Sequence, residues 1–231
     1  MSLSPADSSA VIVGAGSGLS ASLARKCAAA GMKVVLAARN VSKLKSLAEE
    51  LKASVHACDA TDAAQVEALF AAVEAPELVV YNPSYRVRGP LLELDPEEVK
   101  KTLMVSAYGG FLVAQAAVKR MLKRGRGSLF FTGASASVKG YAESAPFAMG
   151  KFALRGLAQS LARELGPKNI HVAHFVIDGG ILRADDSRAP GRGEDGMLQP
   201  DAIAETYLSV YRQHRSAWSF EVDVRPWAEK F

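Results

Sequence analysis

Val11-Ile12-Val13-Gly14-Ala15-Gly16-Ser17-Gly18-Leu19-Ser20 is the stretch from which the rest of this chain can be read. An apolar run is followed by three glycines in five residues and then by an alanine-rich segment. Valine and isoleucine suit a strand and alanine suits a helix, while glycine supplies the backbone angles of a tight turn between them. Lacking a Cβ, such a turn also lets main chain approach a phosphate. The helix beyond it directs unpaired N–H groups and the positive end of its dipole at any anion held there. The spacing Gly16-x-Gly18-x-x-Ala21 matches the general dinucleotide fingerprint, whose usual anion is a pyrophosphate.

Outward from this turn, apolar runs alternate with helical patterns along almost the whole chain. Strands are predicted at 10–13, 33–37, 54–58, 77–81, 128–132, 171–177 and 219–224. Helices are predicted over 20–30, 42–51, 63–73, 96–123, 146–165 and 200–214. The first, fifth and sixth runs are nearly continuous hydrophobic stretches, as expected of parallel strands covered on both faces. Strand–helix alternation with right-handed crossovers implies an α/β, Rossmann-type doubly wound parallel sheet. A single domain over 1–231 is expected, with no internal repeat beyond the βα unit.

Ligands of such sheets collect beyond the carboxyl ends of the strands, so each following loop is informative. After the first strand, Gly14, Gly16, Ser17, Gly18, Leu19 and Ser20 are the candidate phosphate cradle. After the second come Arg39 and Asn40. An acidic residue there would bind both ribose hydroxyls of NAD and repel a 2′-phosphate. With a guanidinium instead, NADP(H) is preferred over NAD(H). After the third come Asp59 and Ala60, where Asp59 can accept from an adenine amino group, with Thr61 or Asp62 as cap of the next helix. Asn82, after the fourth, suits the adenosine side or a purely local turn.

Composition bounds the alternatives. The chain has 231 residues, 49% of them hydrophobic and 23% charged. No apolar run approaches the roughly 18–20 residues of a membrane span, and the first nine residues lack the regions of a signal peptide. Cys27 and Cys58 have no metal-ligand spacing, so reduced thiols and a cytoplasmic, reducing setting are expected, without a metal. The net charge of +4 is modest. The basic run Lys119, Arg120, Lys123, Arg124 and Arg126 closes a predicted helix, where cations suit the dipole. No interleaved aromatics argue for nucleic acid there.

Gly14-x-x-x-Gly18-Leu19, Asp59, Asn82-Pro83-Ser84 and the long segment 147–165 together resemble the short-chain dehydrogenase/reductase family along essentially the whole chain. In the family's register Ser20 stands for the last glycine, and Asn-Pro-Ser for the usual Asn-Ala-Gly. The resemblance implies seven parallel strands, a nicotinamide cofactor and hydride transfer between a carbonyl and an alcohol. It also implies a homodimer or homotetramer paired through the helices at 96–123 and 146–165. Lys151 matches the family's catalytic lysine, with its ammonium on the nicotinamide ribose, and Gly179 and Ile181 fall beside the nicotinamide carboxamide.

The other catalytic positions depart from the family. Its tyrosine, serine and asparagine positions fall on Phe147, Ala134 and Ser106. Phenylalanine has no ionisable proton, so it cannot protonate an alkoxide. Tyr141, Ser135, Ser137 and Glu143, in the loop before the lysine helix, are the substitute candidates. Asp178, where the family has proline, sets a carboxylate near the cofactor's reactive end or merely caps the turn. Residues 183–199, rich in Gly, Asp and Arg, read as a flexible substrate lid whose Arg183, Arg188 and Arg192 suit an anionic substrate or simply solvent. In the C-terminal strand and tail, 216–231, Trp218, Phe220 and Trp227 are close enough to bury something. Two functions follow. One is an NADP(H)-dependent oxidoreductase with a non-standard proton donor acting on a small molecule, and the other a catalytically silent nucleotide-binding protein.

Overall fold

A computed structural model describes residues 8–73, 76–184 and 186–229. The start of the chain up to residue 7, residue 185 of the expected lid and the last two residues of the tail lie outside the described residues. The strands are β1 (Ser9–Val13), β2 (Lys33–Ala38), β3 (Ser54–Ala57), β4 (Pro76–Tyr81), β5 (Gly127–Thr132), β6 (Ile170–Ile177) and β7 (Glu221–Val224). They form one sheet in the order β3-β2-β1-β4-β5-β6-β7, with every pair parallel. The order reverses between β1 and β4, which opens a crevice at their carboxyl ends.

Helices cover both faces: α1 (Leu19–Ala29), α2 (Lys45–Leu51) and α7 (Pro200–Tyr211) on one, α3 (Ala63–Ala71), α4 (Pro96–Leu103), α5 (Gly109–Arg124) and α6 (Ala145–Leu165) on the other. Because both faces are covered, β4, β5 and β6 are buried at every residue. Two cores result. Val11, Val79, Phe131 and Leu154 pack on the α6 side, and Ile12, Leu36, Phe130 and Tyr207 on the α1 side. Each such fully buried side chain contributes about 1.5–3 kcal/mol, so the covered sheet is the stable platform for the loops at its edge.

The expected single helix over 96–123 is interrupted by a π-helical turn at Met104–Tyr108. Tyr81 at the end of β4 donates its hydroxyl to the Val105 carbonyl inside that turn. The wider turn frees backbone acceptors, and the buried tyrosine takes one of them. Asp62, not Thr61, caps α3, accepting from the Ala64 and Gln65 N–H groups. Cys58 lies one residue beyond β3, and both cysteines are free and buried.

The basic run at the end of α5 is engaged internally: Lys119 and Arg120 pair with Glu67, and Arg124 and Arg126 with the buried Glu77. Of the tail aromatics, Trp218 stacks on His171 at 4.7 Å and Phe220 packs on the α6-side core. Trp227 departs from expectation. It is 82% exposed, because the chain has already left β7, and its indole N–H reaches the Glu194 carbonyl. Among the described residues no helix is long and apolar enough to cross a membrane.

Candidate functional site

At the carboxyl end of β1, Gly14 takes φ +79°, and a Cβ there would lie 2.7 Å from the Pro83 nitrogen. Both constraints require glycine. The N–H groups of Gly14 and Ala15 donate to the Ala37 carbonyl, which bends the turn over β2. Gly16 and Gly18 present only open space on the side where a Cβ would stand. Gly18 is the N-cap of α1, brings no capping side chain, and no acidic residue follows in the first turn. The helix end is therefore an open cradle of N–H donors, which fits a pyrophosphate. Ser17 is exposed at its rim and Leu19 is buried beneath it.

The Ser20 side chain has a bracing part in the turn. Its hydroxyl donates to the Gly14 carbonyl at 3.0 Å and accepts from Asn82 Nδ2 at 2.7 Å. A hydroxyl has one proton, and this one is committed, so the Ser20 side chain braces the turn, while its backbone N–H stays among the open donors of the first turn of α1. Asn82 is the other half of that brace, and its N–H bonds the Val13 carbonyl.

Arg39 is exposed just beyond β2 and forms no hydrogen bond or ion pair with a described residue. Asn40 accepts from Ser42 N at 3.1 Å and so caps the short 3-10 turn that leads into α2. Asp59 holds Thr61 through one carboxylate oxygen, leaving the other uncommitted beside the buried Ala60.

Across the sheet edge, Phe147 and Lys151 lie one turn apart on α6. Lys151 is 2% exposed, and its ammonium donates to the Thr132 carbonyl at 2.7 Å. Burial pushes its pKa down to about 8. One of three N–H donors is used, so two are available to a ligand. Ser106 lies in the π-helical turn, fully buried, with a hydroxyl that has no partner. A Cβ on Gly150 would lie 2.8 Å from Ser106 Cβ, so α6 presses on that turn one residue before Lys151.

Ala134 carries no hydroxyl, but its N–H is held by Ser137 Oγ at 3.1 Å. The adjacent Ser135 is half-buried and its hydroxyl is uncommitted among the described residues. Tyr141 is 45% exposed at the rim, with the Lys139 ammonium 5.7 Å from its ring centre. Asp178 is buried and flanked by Lys139 at 3.4 Å and Arg225 at 3.6 Å. Two cations there make it a tie between three segments. Gly179 takes φ +153°, where a Cβ would meet the Pro226 ring at 2.6 Å. Ile181 bridges to Leu198, closing the ends of the 183–199 segment. Within that segment Arg188 pairs with Asp186, and Arg192 with Glu229 at 3.8 Å.

Two features escaped the sequence reading. Arg86 lies with its guanidinium carbon 4.9 Å from the centre of the Phe147 ring. Behind Lys151, His174 is fully buried, with Nδ1 3.1 Å from Glu221, which Arg155 of α6 grips through two hydrogen bonds. Neither pairing has a local signal, because the partners are far apart in the chain.

Burial pushes the His174 pKa from 6.5 down to about 4. Between those values the unfolded chain binds the proton and the folded chain does not, so stability falls as the pH drops through that window. At pH 5 the loss is about 2 kcal/mol relative to pH 8. Urea midpoints at the two pH values check this, since His174→Gln removes that share of the acid sensitivity. An unchanged pH dependence contradicts it.

Residues 8–185 match the family model described as short chain dehydrogenase. The 3-oxoacyl-[acyl-carrier-protein] reductase MabA of Mycobacterium tuberculosis (strain H37Rv) is 30% identical over 198 residues, covering 83% of this chain and 76% of that protein. A short-chain dehydrogenase from Rhodopseudomonas palustris has a crystal structure that superposes with a TM-score of 0.83 at 36% identity, covering 96% of this chain and 99% of that one. A metagenomic short-chain oxidoreductase, crystallised with NADP, gives a TM-score of 0.83 at 28% identity over 96% of this chain and 98% of its own.

Proposed function

The chain belongs to the short-chain dehydrogenase/reductase family and is an oxidoreductase, and on that footing we propose that it interconverts a small-molecule carbonyl and alcohol with NADP(H), through a proton route that bypasses tyrosine. The observation that carries this reading is the pairing, on one sheet edge, of an open glycine cradle with a buried lysine that keeps two N–H donors unused.

In this reading Gly14, Gly16 and Gly18 hold the pyrophosphate against the end of α1. Arg39 meets the 2′-phosphate, and Asp59 and Ala60 line the adenine side. Gly179 and Ile181 border the nicotinamide, and the free protons of Lys151 reach the ribose hydroxyls. The bound nicotinamide supplies hydride to the carbonyl carbon. The chain must then hold the substrate oxygen and deliver one proton to it. The uncommitted hydroxyl of Ser135 holds the oxygen. Lys151 stores the proton, since an ammonium with pKa near 8 releases it close to neutral pH. Tyr141, at the exposed rim, resupplies it from solvent.

NADPH oxidation followed across a panel of carbonyl compounds tests the reading. Tight NADPH binding with no turnover on any of them would instead favour a silent nucleotide-binding protein. For the cofactor, Arg39→Asp weakens NADPH by about 10–100-fold and leaves NADH unchanged or better, because a charge-assisted contact to phosphate becomes a repulsion. Calorimetric titration of both nucleotides checks it, and equal effects would reject Arg39.

The assembly proposed is a homodimer or homotetramer. Tyr108, Phe111 and Phe152 are each 42–43% exposed on the outer faces of the π-helical turn, α5 and α6. The free thiols of Cys27 and Cys58 support a reducing, cytoplasmic setting.

A further inference from the structure

The tyrosine position is an apolar ring in this chain, and that ring carries a cation. The Arg86 guanidinium carbon is 4.9 Å from the Phe147 centroid, and the Lys151 ammonium is 5.9 Å from the same centroid. Arg86 belongs to the loop between β4 and α4, which is tied across to the loop before α6 by the hydrogen bond from Gly89 N to the Glu143 carbonyl at 3.0 Å. That tie holds Arg86 over the ring.

Arg86 has no hydrogen bond and no ion pair with any described residue. Partial enclosure, and after it the like charge of Arg88, lower its pKa. Arg86 is exposed beside the ring, so in the free protein solvent meets its five N–H donors and they remain available to an anion. Arg88 is likewise unpaired among the described residues, but three other nearby cations differ. Lys101 is paired with Glu98, Lys139 with Asp178, and Arg188 with Asp186. Of the arginines of the 183–199 segment that suited an anion, Arg188 and Arg192 are thus neutralised from within, while Arg183 and Arg86 have no carboxylate partner among the described residues.

Beside Phe147, Leu94, Val99, Pro146 and Met149 line an apolar groove of about 330 Å³. The groove is lined from the first turns of α6, the same end of the helix over which Arg86 lies.

We infer that Arg86, stacked on Phe147, binds the carboxylate of the substrate, so that the substrate class is a carbonyl compound bearing a carboxylate, with its apolar remainder in the Leu94–Met149 groove. The inference rests on the proposed reductase reading for its meaning but is tested by binding, independently of turnover. The planar guanidinium offers two parallel N–H groups to one carboxylate, and the ring beneath it fixes the plane of that fork.

The probes are 4-phenylbutanoate and its neutral amide, titrated by calorimetry into the protein with and without NADP+. Wild type binds the acid at least tenfold more tightly than the amide. Arg86→Leu weakens the acid by about 10–100-fold and leaves the amide within threefold, the range for loss of a charge-assisted pair. Arg86→Lys recovers part of the affinity, because it restores charge without the fork. No preference for the acid in wild type, or equal losses for acid and amide in Arg86→Leu, overturns the inference. Failure of the reductase reading shows differently, as absence of NADPH oxidation with every carbonyl while the acid still binds through Arg86.

Discussion

Lys151→Met lowers turnover by about 10³-fold and raises the Kd for NADPH about tenfold, while the protein stays folded. The side chain has two tasks in the proposed site, holding the ribose and storing the proton, and methionine keeps its length but does neither. Steady-state kinetics with a fluorescence titration check both losses. A variant with the turnover of wild type would remove Lys151 from the proton route.

A thermodynamic readout accompanies the kinetic one. The folded protein binds the Lys151 proton with pKa about 8, the unfolded chain near 10.5. Between these values the unfolded state holds more protons, so the lysine's contribution to stability rises with pH. As the pH falls from 10.5 to 8, wild type loses about 3 kcal/mol relative to Lys151→Met, in which nothing titrates at that position. The bond to the Thr132 carbonyl is lost in the variant at every pH and does not alter the slope. Unfolding measured without cofactor at several pH values therefore reports the enclosure of the ammonium directly. Parallel stability curves would show that the group is not enclosed.

The second large effect is Gly14→Val. A β-branched residue at φ +79° is strained, and its Cβ would stand 2.7 Å from a backbone nitrogen of Pro83. Pro83 cannot readily move aside, since its neighbour Asn82 is tied to Ser20 at 2.7 Å and to the Val13 carbonyl at 3.0 Å. The expected loss is about 4 kcal/mol of stability, together with nucleotide binding. Gly16→Ala gives the contrast: nothing stands within 4 Å of the added methyl, so the fold tolerates it, yet in the proposed site the methyl takes space assigned to the phosphate. Stability within about 0.5 kcal/mol and weakened NADPH binding are expected. Thermal melts and titrations separate the two effects, and a Gly14→Val protein melting with wild type would refute the brace.

How far the sequence carried the site depended on the range of each interaction. The glycine turn, the exposed arginine after β2 and the lysine on α6 were legible because each follows from a motif within a few residues. The cap of α3 was narrowed to two residues, and the backbone of the following turn selected Asp62. The long helix was legible as helix, but its π-helical turn was not. That turn depends on the Tyr81 hydroxyl arriving from β4, 24 residues away along the chain. The position of Ser20 suggests a phosphate ligand; that its hydroxyl also gives its proton to the Gly14 carbonyl and accepts from Asn82, 62 residues on, has no signal in the motif.

By itself the sequence determined the alternation of strand and helix, hence the doubly wound sheet, and the loops in which chemistry had to be sought. Those are consequences of hydrophobic period and local backbone freedom, which act between neighbours. The tertiary structure alone decided which side chains meet at the edge: Arg86 over Phe147, His174 against Glu221, Lys151 closed in beneath the Thr132 carbonyl. Such meetings are set by strand register and helix crossing, and no local pattern encodes a contact between residues whose separation is fixed only once the sheet has closed around them.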